Sequence, residues 1–207
     1  YWGNGREDEL KSLNENLPSS TSMTLTGGKI WGEVSESFLS TLKNNLSAGG
    51  KTYRPVSLWI NWPVTDNSKQ HLILGGGEKF LHPNVDPSLL SGIMLNPMQQ
   101  SEPSKIALFA GAQYSWKQWK SEEEAKKIND IAFNFVENGH FEDSKVSAAF
   151  RELGKHMINQ NMDGRVVKLE ESVDLAPKLT DFMTKLKAGQ DVTAERAALR
   201  AEFAKIK

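Results

Sequence analysis

Apolar and polar positions in the first part of the chain alternate between short extended runs and helical stripes. The extended runs at 22–26, 56–59 and 92–95 are apolar or β-branched, which is typical of strands. Apolar residues with helical spacing predict helices around these runs, at about 7–17, 35–46 and 101–116. Strands that alternate with helices in this way indicate an α/β unit with parallel strands.

After about residue 120 only the helical spacing remains. Four apolar stripes have the period of an amphipathic helix. They are Ile128, Ile131, Ala132 and Phe135; Val146, Ala149, Phe150, Leu153 and Met157; Leu175, Leu179, Phe182 and Leu186; and Leu199, Phe203 and Ile206. The composition changes at the same place. All 6 Trp, seven of the 8 Pro and twelve of the 16 Gly precede residue 120, so the residues that break helices are concentrated in the first part. We therefore predict two domains, an α/β part over 1–120 and a helical bundle or stalk over 121–207.

Composition and charge argue against several kinds of partner and site: nucleic acid, a membrane, a metal and a phosphate-containing cofactor. The chain has 25 basic and 26 acidic residues, and this balance gives no basic footprint for nucleic acid. No apolar run approaches the ~18 residues that span a bilayer. Cysteine is absent, and the four His have no metal-ligand spacing, so neither a metal nor a cofactor is expected. The glycines at 75–77 lack the spacing of a phosphate-binding motif, and we interpret them as a loop.

Polar residues follow each of the three predicted strands. Lys29 comes after the first, Asn61 and Asp66 after the second, and Asn96 after the third. Each has a structural explanation of its own; Asn96, for example, precedes a proline and is a common turn starter. Because parallel strands bring their carboxyl ends to one edge of a sheet, these residues together predict a pocket.

Two of the segments that carry these residues, 55-PVSLWINWPVTDN-67 and 92-GIMLNPMQQSEPSKIALFAGAQYSW-116, closely resemble glycoside hydrolase family 84. That family holds the bacterial enzymes labelled hyaluronidase and the O-GlcNAcases. The resemblance extends through 22-SMTLTGGKIWG-32 and 151-RELGKHMINQNMDGRVVKLEES-172. It implies the C-terminal part of a (β/α)8 TIM barrel over 1–120, followed by an α-helical stalk.

The resemblance also implies a reaction and a set of sugar-binding residues. The reaction is removal of a β-linked N-acetylglucosamine with retention, in which the sugar's own acetamido oxygen is the nucleophile and two adjacent Asp residues assist. Trp59 would form a wall of the acetamido pocket, Asn61 would bond near the anomeric region, and Asp66 would accept bonds from ring hydroxyls. The implied substrate-binding residues are Tyr1, Ile30, Trp59, Asn61, Asp66 and Asn96.

The sequence departs from the family pattern in two respects. Gly28 stands where relatives usually carry Pro, and no Asp-Asp pair occurs among the 207 residues. We therefore expect no catalytic residue in this segment, no activity from it alone, and an N-terminal half of the barrel as its partner.

The expected substrate is a glycoconjugate that contains N-acetylglucosamine, and the resemblance favours an extracellular or cell-surface bacterial location. An alternative stays open: a non-catalytic carbohydrate-binding or interaction module that retains the sugar-contacting half of the fold. The missing Asp-Asp pair is the sequence feature that keeps this alternative open.

Overall fold

The structure is a computed structural model and describes residues 7–66, 72–158 and 171–207. Three parallel strands form a sheet in chain order, β1 (Thr24–Leu25), β2 (Val56–Pro63) and β3 (Leu90–Asn96). The helices of the described ranges are α1 (Glu7–Asn16), α2 (Glu36–Leu46), α3 (Gly77–Phe80), α4 (Ser101–Trp116), α5 (Glu122–Asn138), α6 (Lys145–Gly154), α7 (Leu175–Lys187) and α8 (Thr193–Ala204). The predicted mixture of helices with a parallel sheet is confirmed.

The two faces of the sheet differ in their environment. On β2, the side chains of Val56, Leu58, Ile60 and Trp62 are fully buried in the main hydrophobic core. The alternate positions of the same strand face the other way, and there Trp59 is 43% exposed. In the part of the chain that the structure describes, this sheet therefore has one face packed on helices and one face open. It differs in this from most parallel sheets, which have both faces covered.

Helix α4 covers β3 at close range. Its buried stripe includes Ile106, Ala107 and Ala110, and the next residue is Gly111. A Cβ atom at Gly111 would lie 2.5 Å from Leu95 Cδ1, so a side chain at this position would force the Leu95 side chain to move aside. The small residues of α4 thus leave room for the Leu95 side chain of β3 to pack directly against the helix.

Helix α5 begins with an acidic run at 122–124, whose charges suit the positive end of the helix dipole. Ser121 is the N-cap and its Oγ accepts a hydrogen bond from the backbone N–H of Glu124 at 3.1 Å. Glu122 also forms an ion pair with Lys79 of α3, with the Nζ and Oε1 atoms 2.7 Å apart. The acidic run therefore does more than form a solvated first turn, because it also connects α5 to α3.

The apolar stripes predicted for α5 and α6 are partly wrong. Phe135 and Val146 belong to those stripes but are 42% and 62% exposed, whereas Phe133 is buried. Helix α6 instead turns Ser147 and Gly154 inward, and a Cβ at Gly154 would lie 2.6 Å from the ring of Phe133. An apolar stripe does not include glycine, so the sequence did not predict that Gly154 faces inward. Its lack of a side chain makes room for the ring of Phe133.

Helices α7 and α8 form a hairpin. Leu175, Val192 and Leu199 are buried, and the ion pairs Lys178–Glu202 and Lys185–Glu195 join the two helices. Leu179 and Leu186, which the stripe of α7 predicted to be inward, are 38% and 49% exposed. Within the described ranges, none of the helices has the length and apolar character needed to cross a membrane.

Candidate active site

The strand-end residues lie at one edge of the sheet. Strands β1, β2 and β3 are parallel, so the loops after Leu25, Pro63 and Asn96 leave from the same side. On β2, Trp59 and Asn61 are two residues apart and therefore point to the same, open face. The Trp62–Pro63 peptide bond that follows them is cis. The topology thus brings three chemically distinct loops to one place, as the parallel pattern predicts.

Asn61 is the centre of a hydrogen-bond network at this edge. Its Nδ2 atom donates to the backbone carbonyl of Ile30 at 2.6 Å. Its Oδ1 atom accepts from Trp59 Nε1 at 2.7 Å and from Asn96 Nδ2 at 3.0 Å. One amide therefore connects the loop after β1, the strand β2 and the end of β3.

These partners fix which way the amide of Asn61 points. An indole N–H and an Asn N–H can only donate, so Oδ1 must face them, while the Ile30 carbonyl can only accept, so Nδ2 must face it. A flipped amide would place an N–H against two donors and a carbonyl oxygen against another. The site therefore presents a polar group of fixed orientation beside an exposed aromatic ring. That combination suits a neutral ligand with many hydroxyl groups.

The loop after β1 carries the Ile30 carbonyl and has a narrow neck. Gly27 and Gly32 touch backbone to backbone, because a Cβ built on Gly32 would lie 2.3 Å from the Cα of Gly27. Trp31 is buried with a relative exposure of 7%, while Ile30 is half-buried. We call residues 27–32 the necked loop. Gly27 and Gly32 close the neck, and the Ile30 carbonyl between them accepts the hydrogen bond from Asn61.

An ionic cluster lies beside the necked loop. The Glu33 carboxylate contacts His82 Nε2 at 3.0 Å and Lys29 Nζ at 3.2 Å. The hydrogen bond from His82 is the main cause of a lowered pKa for Glu33, and the hydrogen bond to Glu33 likewise raises the pKa of His82 above its ordinary value. Burial opposes both shifts without reversing them. The ionised pair is thus the favoured state between the two pKa values.

The remaining predicted site residues are placed as follows. Asp66 is an exposed residue in the turn three positions after the end of β2. Asn96 is the last residue of β3, half-buried, and its side chain joins the Asn61 network. Tyr1 lies outside the described residues. Ile30, Trp59, Asn61 and Asn96 are therefore brought together by direct hydrogen bonds, while Asp66 shares the strand end of Asn61.

The motif that contains Asn96 also builds the support of the site. Met98 is buried, and its sulfur accepts a hydrogen bond from the backbone of Ile73 at 3.3 Å. Ser104 donates to the Met98 and Gln100 carbonyls at 3.3 and 2.8 Å, which holds the loop between β3 and α4. Of the two aromatic residues that end the motif, Tyr114 is buried and donates to the His82 carbonyl at 2.8 Å, whereas Trp116 is 90% exposed.

Sequence reasoning missed the roles of Glu33 and His82, because a lone His and a lone Glu carry no motif. The spacing Gly27 to Gly32 directly after a strand was the available signal, since two glycines at a loop neck indicate close backbone contact. It pointed to the necked loop but not to its ionic partners, which are 49 residues apart in the chain and meet only in the fold.

Three matches to known proteins show what this chain is similar to. The family model described as beta-N-acetylglucosaminidase matches residues 1–155. The structure of CpGH84D has a TM-score of 0.73 and 25% sequence identity, over 100% of this chain and 32% of its own. A mutant of the Thermobaculum terrenum O-GlcNAc hydrolase has a TM-score of 0.64 at 19% identity, over 99% of this chain and 39% of its own, a likeness of fold alone. The chain thus spans about a third of the length of CpGH84D.

Proposed function

Because the chain belongs to the beta-N-acetylglucosaminidase family of glycoside hydrolases, we propose that it is the sugar-binding part of a retaining enzyme that removes terminal N-acetylglucosamine. The single observation that carries the proposal is the Asn61 network at the carboxyl edge of the parallel sheet. Ligand groups of barrel enzymes are bound at this edge. The open face of the sheet, with Trp59 on it, is consistent with a strand that lines the inside of a barrel.

Each site residue has a role in this proposal. The indole of Trp59 forms the apolar wall of the acetamido pocket, and the fixed amide of Asn61 bonds the sugar near its anomeric centre. Asp66 accepts hydrogen bonds from ring hydroxyls, which a neutral sugar offers as donors. Asn96 holds Asn61 and bonds a further hydroxyl. Ile30 supplies an aliphatic contact from the necked loop, and Tyr1 contacts the acetamido end.

The chemistry itself needs groups that these residues do not include. In the proposed reaction the acetamido oxygen of the sugar attacks the anomeric carbon, so the protein does not supply the nucleophile of the usual two-carboxylate scheme. One carboxylate orients and polarises the acetamido group, and a second protonates the leaving oxygen and then activates water. The 207 residues contain no Asp-Asp pair, so we propose that another segment of the same barrel supplies it.

Replacement of Asp66 in the complete protein tests the proposal. Asp66→Ala should weaken binding of an inhibitor that resembles N-acetylglucosamine by about 10- to 100-fold, because hydroxyl donors lose a charged acceptor. The melting temperature should be nearly unchanged, since Asp66 is exposed. Asp8→Ala, another exposed carboxylate, is the control and should leave affinity unchanged. Unchanged affinity of the Asp66 variant would show that Asp66 is only a turn residue.

The missing Asp-Asp pair also supports a second candidate, a carbohydrate-binding module without catalysis. Both candidates predict sugar binding at the Asn61 edge, so turnover separates them. The complete protein should hydrolyse an aryl N-acetylglucosaminide if it is an enzyme. Binding of the same compound with no hydrolysis would favour the module.

A further inference from the structure

We infer that Glu33 and His82 form a clamp that positions the Asn61 amide by holding the necked loop in place. The inference rests on the proposed function of the Asn61 edge and adds two residues to it. Both act through the loop rather than at the sugar, so they are positioning residues.

The first step concerns how one carboxylate holds both parts of the loop. Glu33 directly follows Gly32 of the neck, and its Oε1 atom accepts a hydrogen bond from Lys29 Nζ, one residue before Ile30, at 3.2 Å. Its Oε2 atom contacts His82 Nε2 at 3.0 Å. The Glu33 side chain is 25% exposed and that of His82 35% exposed, so water only partly screens the pair.

The second step concerns the rigidity of the anchor. The backbone N–H of His82 donates to the Val34 carbonyl at 2.9 Å, and its carbonyl accepts from Tyr114 Oη at 2.8 Å. Tyr114 is 2% exposed and packs on Trp119 with ring centroids 4.8 Å apart. The imidazole therefore extends from a backbone that is held from two sides, and the loop is fixed relative to it.

The third step concerns transmission to the site. The Ile30 carbonyl accepts from Asn61 Nδ2 at 2.6 Å, and the other end of the same amide accepts from Trp59 and Asn96. If the necked loop moves, this acceptor moves, and the Asn61 amide must rotate or lose a bond. Rotation of the amide or loss of its bond would each change the environment of the Trp59 indole N–H, because this group donates to Asn61 Oδ1.

The clamp depends on pH in a defined direction. The charged groups around the imidazole are Lys29 and Glu33 beside the necked loop, Lys79 of α3 and Glu122 of α5. Because the pKa of His82 is raised above 6.5, its contribution is complete below that value and is lost as pH rises through the raised pKa. Because the pKa of Glu33 is lowered from 4.5, its contribution is lost only at more acidic pH. The clamp is therefore strongest between about pH 4.5 and 6.5.

The test uses the complete protein with 5-fluorotryptophan and ¹⁹F NMR, where Trp59→Phe assigns the Trp59 signal. In the wild type we expect this signal to titrate with a midpoint above 6.5, the ordinary pKa of His. Glu33→Gln, His82→Gln and the double variant should each shift the signal. The two variants that lack His82 should abolish this titration, and Glu33→Gln should lower its midpoint, because the hydrogen bond to Glu33 is the main cause of the raised pKa of His82. Asp143→Asn breaks an ion pair with Arg151 of α6 and should leave the titration as in the wild type.

Binding of N-acetylglucosamine by the same variants gives the second measurement. Each single variant should bind about 2- to 5-fold more weakly at pH 6, the range for loss of one partly exposed ion pair. The double variant should lose no more than either single variant, because the pair acts as one unit. A Trp59 signal that keeps its wild-type titration in either single variant would overturn the clamp. If Glu33→Gln fails to fold, His82→Gln decides alone, since the backbone bonds of His82 do not involve its side chain.

Failure of the clamp and failure of the proposed function give different results. If wild-type protein binds no N-acetylglucosamine at any pH, the proposed function fails, and the ¹⁹F titration still decides the clamp. If the sugar binds but the Trp59 signal ignores Glu33 and His82, the clamp fails and the proposed function stands.

Discussion

At the scale of single residues, the hydrogen-bond network of Asn61 fixes the orientation of one amide at the carboxyl edge of the sheet. Among the described residues, the amide donates to Ile30 and accepts from Trp59 and Asn96. A ligand that bonds this group would meet it in one orientation, so little side-chain entropy would be lost on binding. The exposed indole beside it adds apolar area without a charge, which is the combination that the proposed sugar site requires.

The orientation of the amide leads to a stability prediction. Asn61→Asp preserves the shape but replaces the donor Nδ2 with an oxygen that would face the Ile30 carbonyl at 2.6 Å. We expect a loss of about 1–3 kcal/mol in the free energy of unfolding of the complete protein, because two acceptors oppose each other. Urea titration measures it.

The same substitution at Asn84 is the matched control. Asn84 also donates from Nδ2 to a backbone carbonyl, that of Lys120 at 2.8 Å, but in an exposed position. Asn84→Asp should therefore change the unfolding free energy by no more than about 0.5 kcal/mol. Equal losses for both variants would mean that the Asn61 network has no special rigidity.

At the scale of elements, the necked loop and helix α4 depend on close contacts that glycine permits. The neck brings the backbones of Gly27 and Gly32 together, and Gly111 leaves room for the Leu95 side chain of β3 against α4. In each case a side chain on the glycine would collide with its neighbour. The site edge therefore rests on close packing of backbone as much as on its polar residues.

Gly32→Ala should open the neck. The new Cβ would lie 2.3 Å from Gly27, where the neighbouring atoms are backbone and cannot move aside as a flexible side chain could. We expect about 1–3 kcal/mol of destabilisation, as for other overpacked sites, together with weaker sugar binding. Gly92→Ala on β3 is the control, because its Cβ would meet only Ser57 Oγ at 3.8 Å. A Gly32 variant as stable as the Gly92 variant would contradict the neck.

At the scale of the whole molecule, the sheet is the part that needs further covering. β1 and β3 are the outer strands, and in the described ranges no further strand joins them. The face with Trp59 is open, and Met94, its neighbour on β3, is 40% exposed. Open edges and an open face of a parallel sheet favour pairing with more polypeptide. The division of the chain near residue 120 stays a prediction.

These features predict the behaviour of the 207-residue chain by itself. We expect self-association in size-exclusion chromatography with light scattering, and rapid amide hydrogen exchange in β1 and β3. The physical reason is that unpaired strand edges and exposed apolar side chains gain from contact with a second copy. A cooperative monomer with a fully protected sheet would contradict the prediction. Co-expression with the proposed N-terminal half of the barrel should restore protection.

The same chain should not hydrolyse an aryl N-acetylglucosaminide. The sequence contains no Asp-Asp pair to orient the acetamido group and protonate the leaving oxygen, and loss of such groups costs several orders of magnitude in rate. Steady turnover by the purified chain, with a mock purification as control, would refute this expectation.

The sequence by itself determined the type of most elements and the family. It did not reveal α3, which begins at Gly77 where three glycines indicated a loop. Helical periodicity located α2 and α4, and apolar runs located β2 and β3, to within a few residues, because both patterns arise from burial of side chains. The strand-end residues Asn61 and Asn96 were also visible, since they interrupt apolar runs at a place where parallel strands end.

Only the tertiary structure decided which groups meet. The bonds from Asn61 to Ile30 and Asn96 join residues 31 and 35 positions apart, and their geometry depends on strand register. Tertiary packing likewise exposed Val146, which the apolar stripe of α6 predicted to be buried, and placed Gly154 in contact with the ring of Phe133. The physical reason is that sequence periodicity reports which face of an element is apolar, whereas the partner, the distance and the orientation of a polar group depend on how separate elements pack.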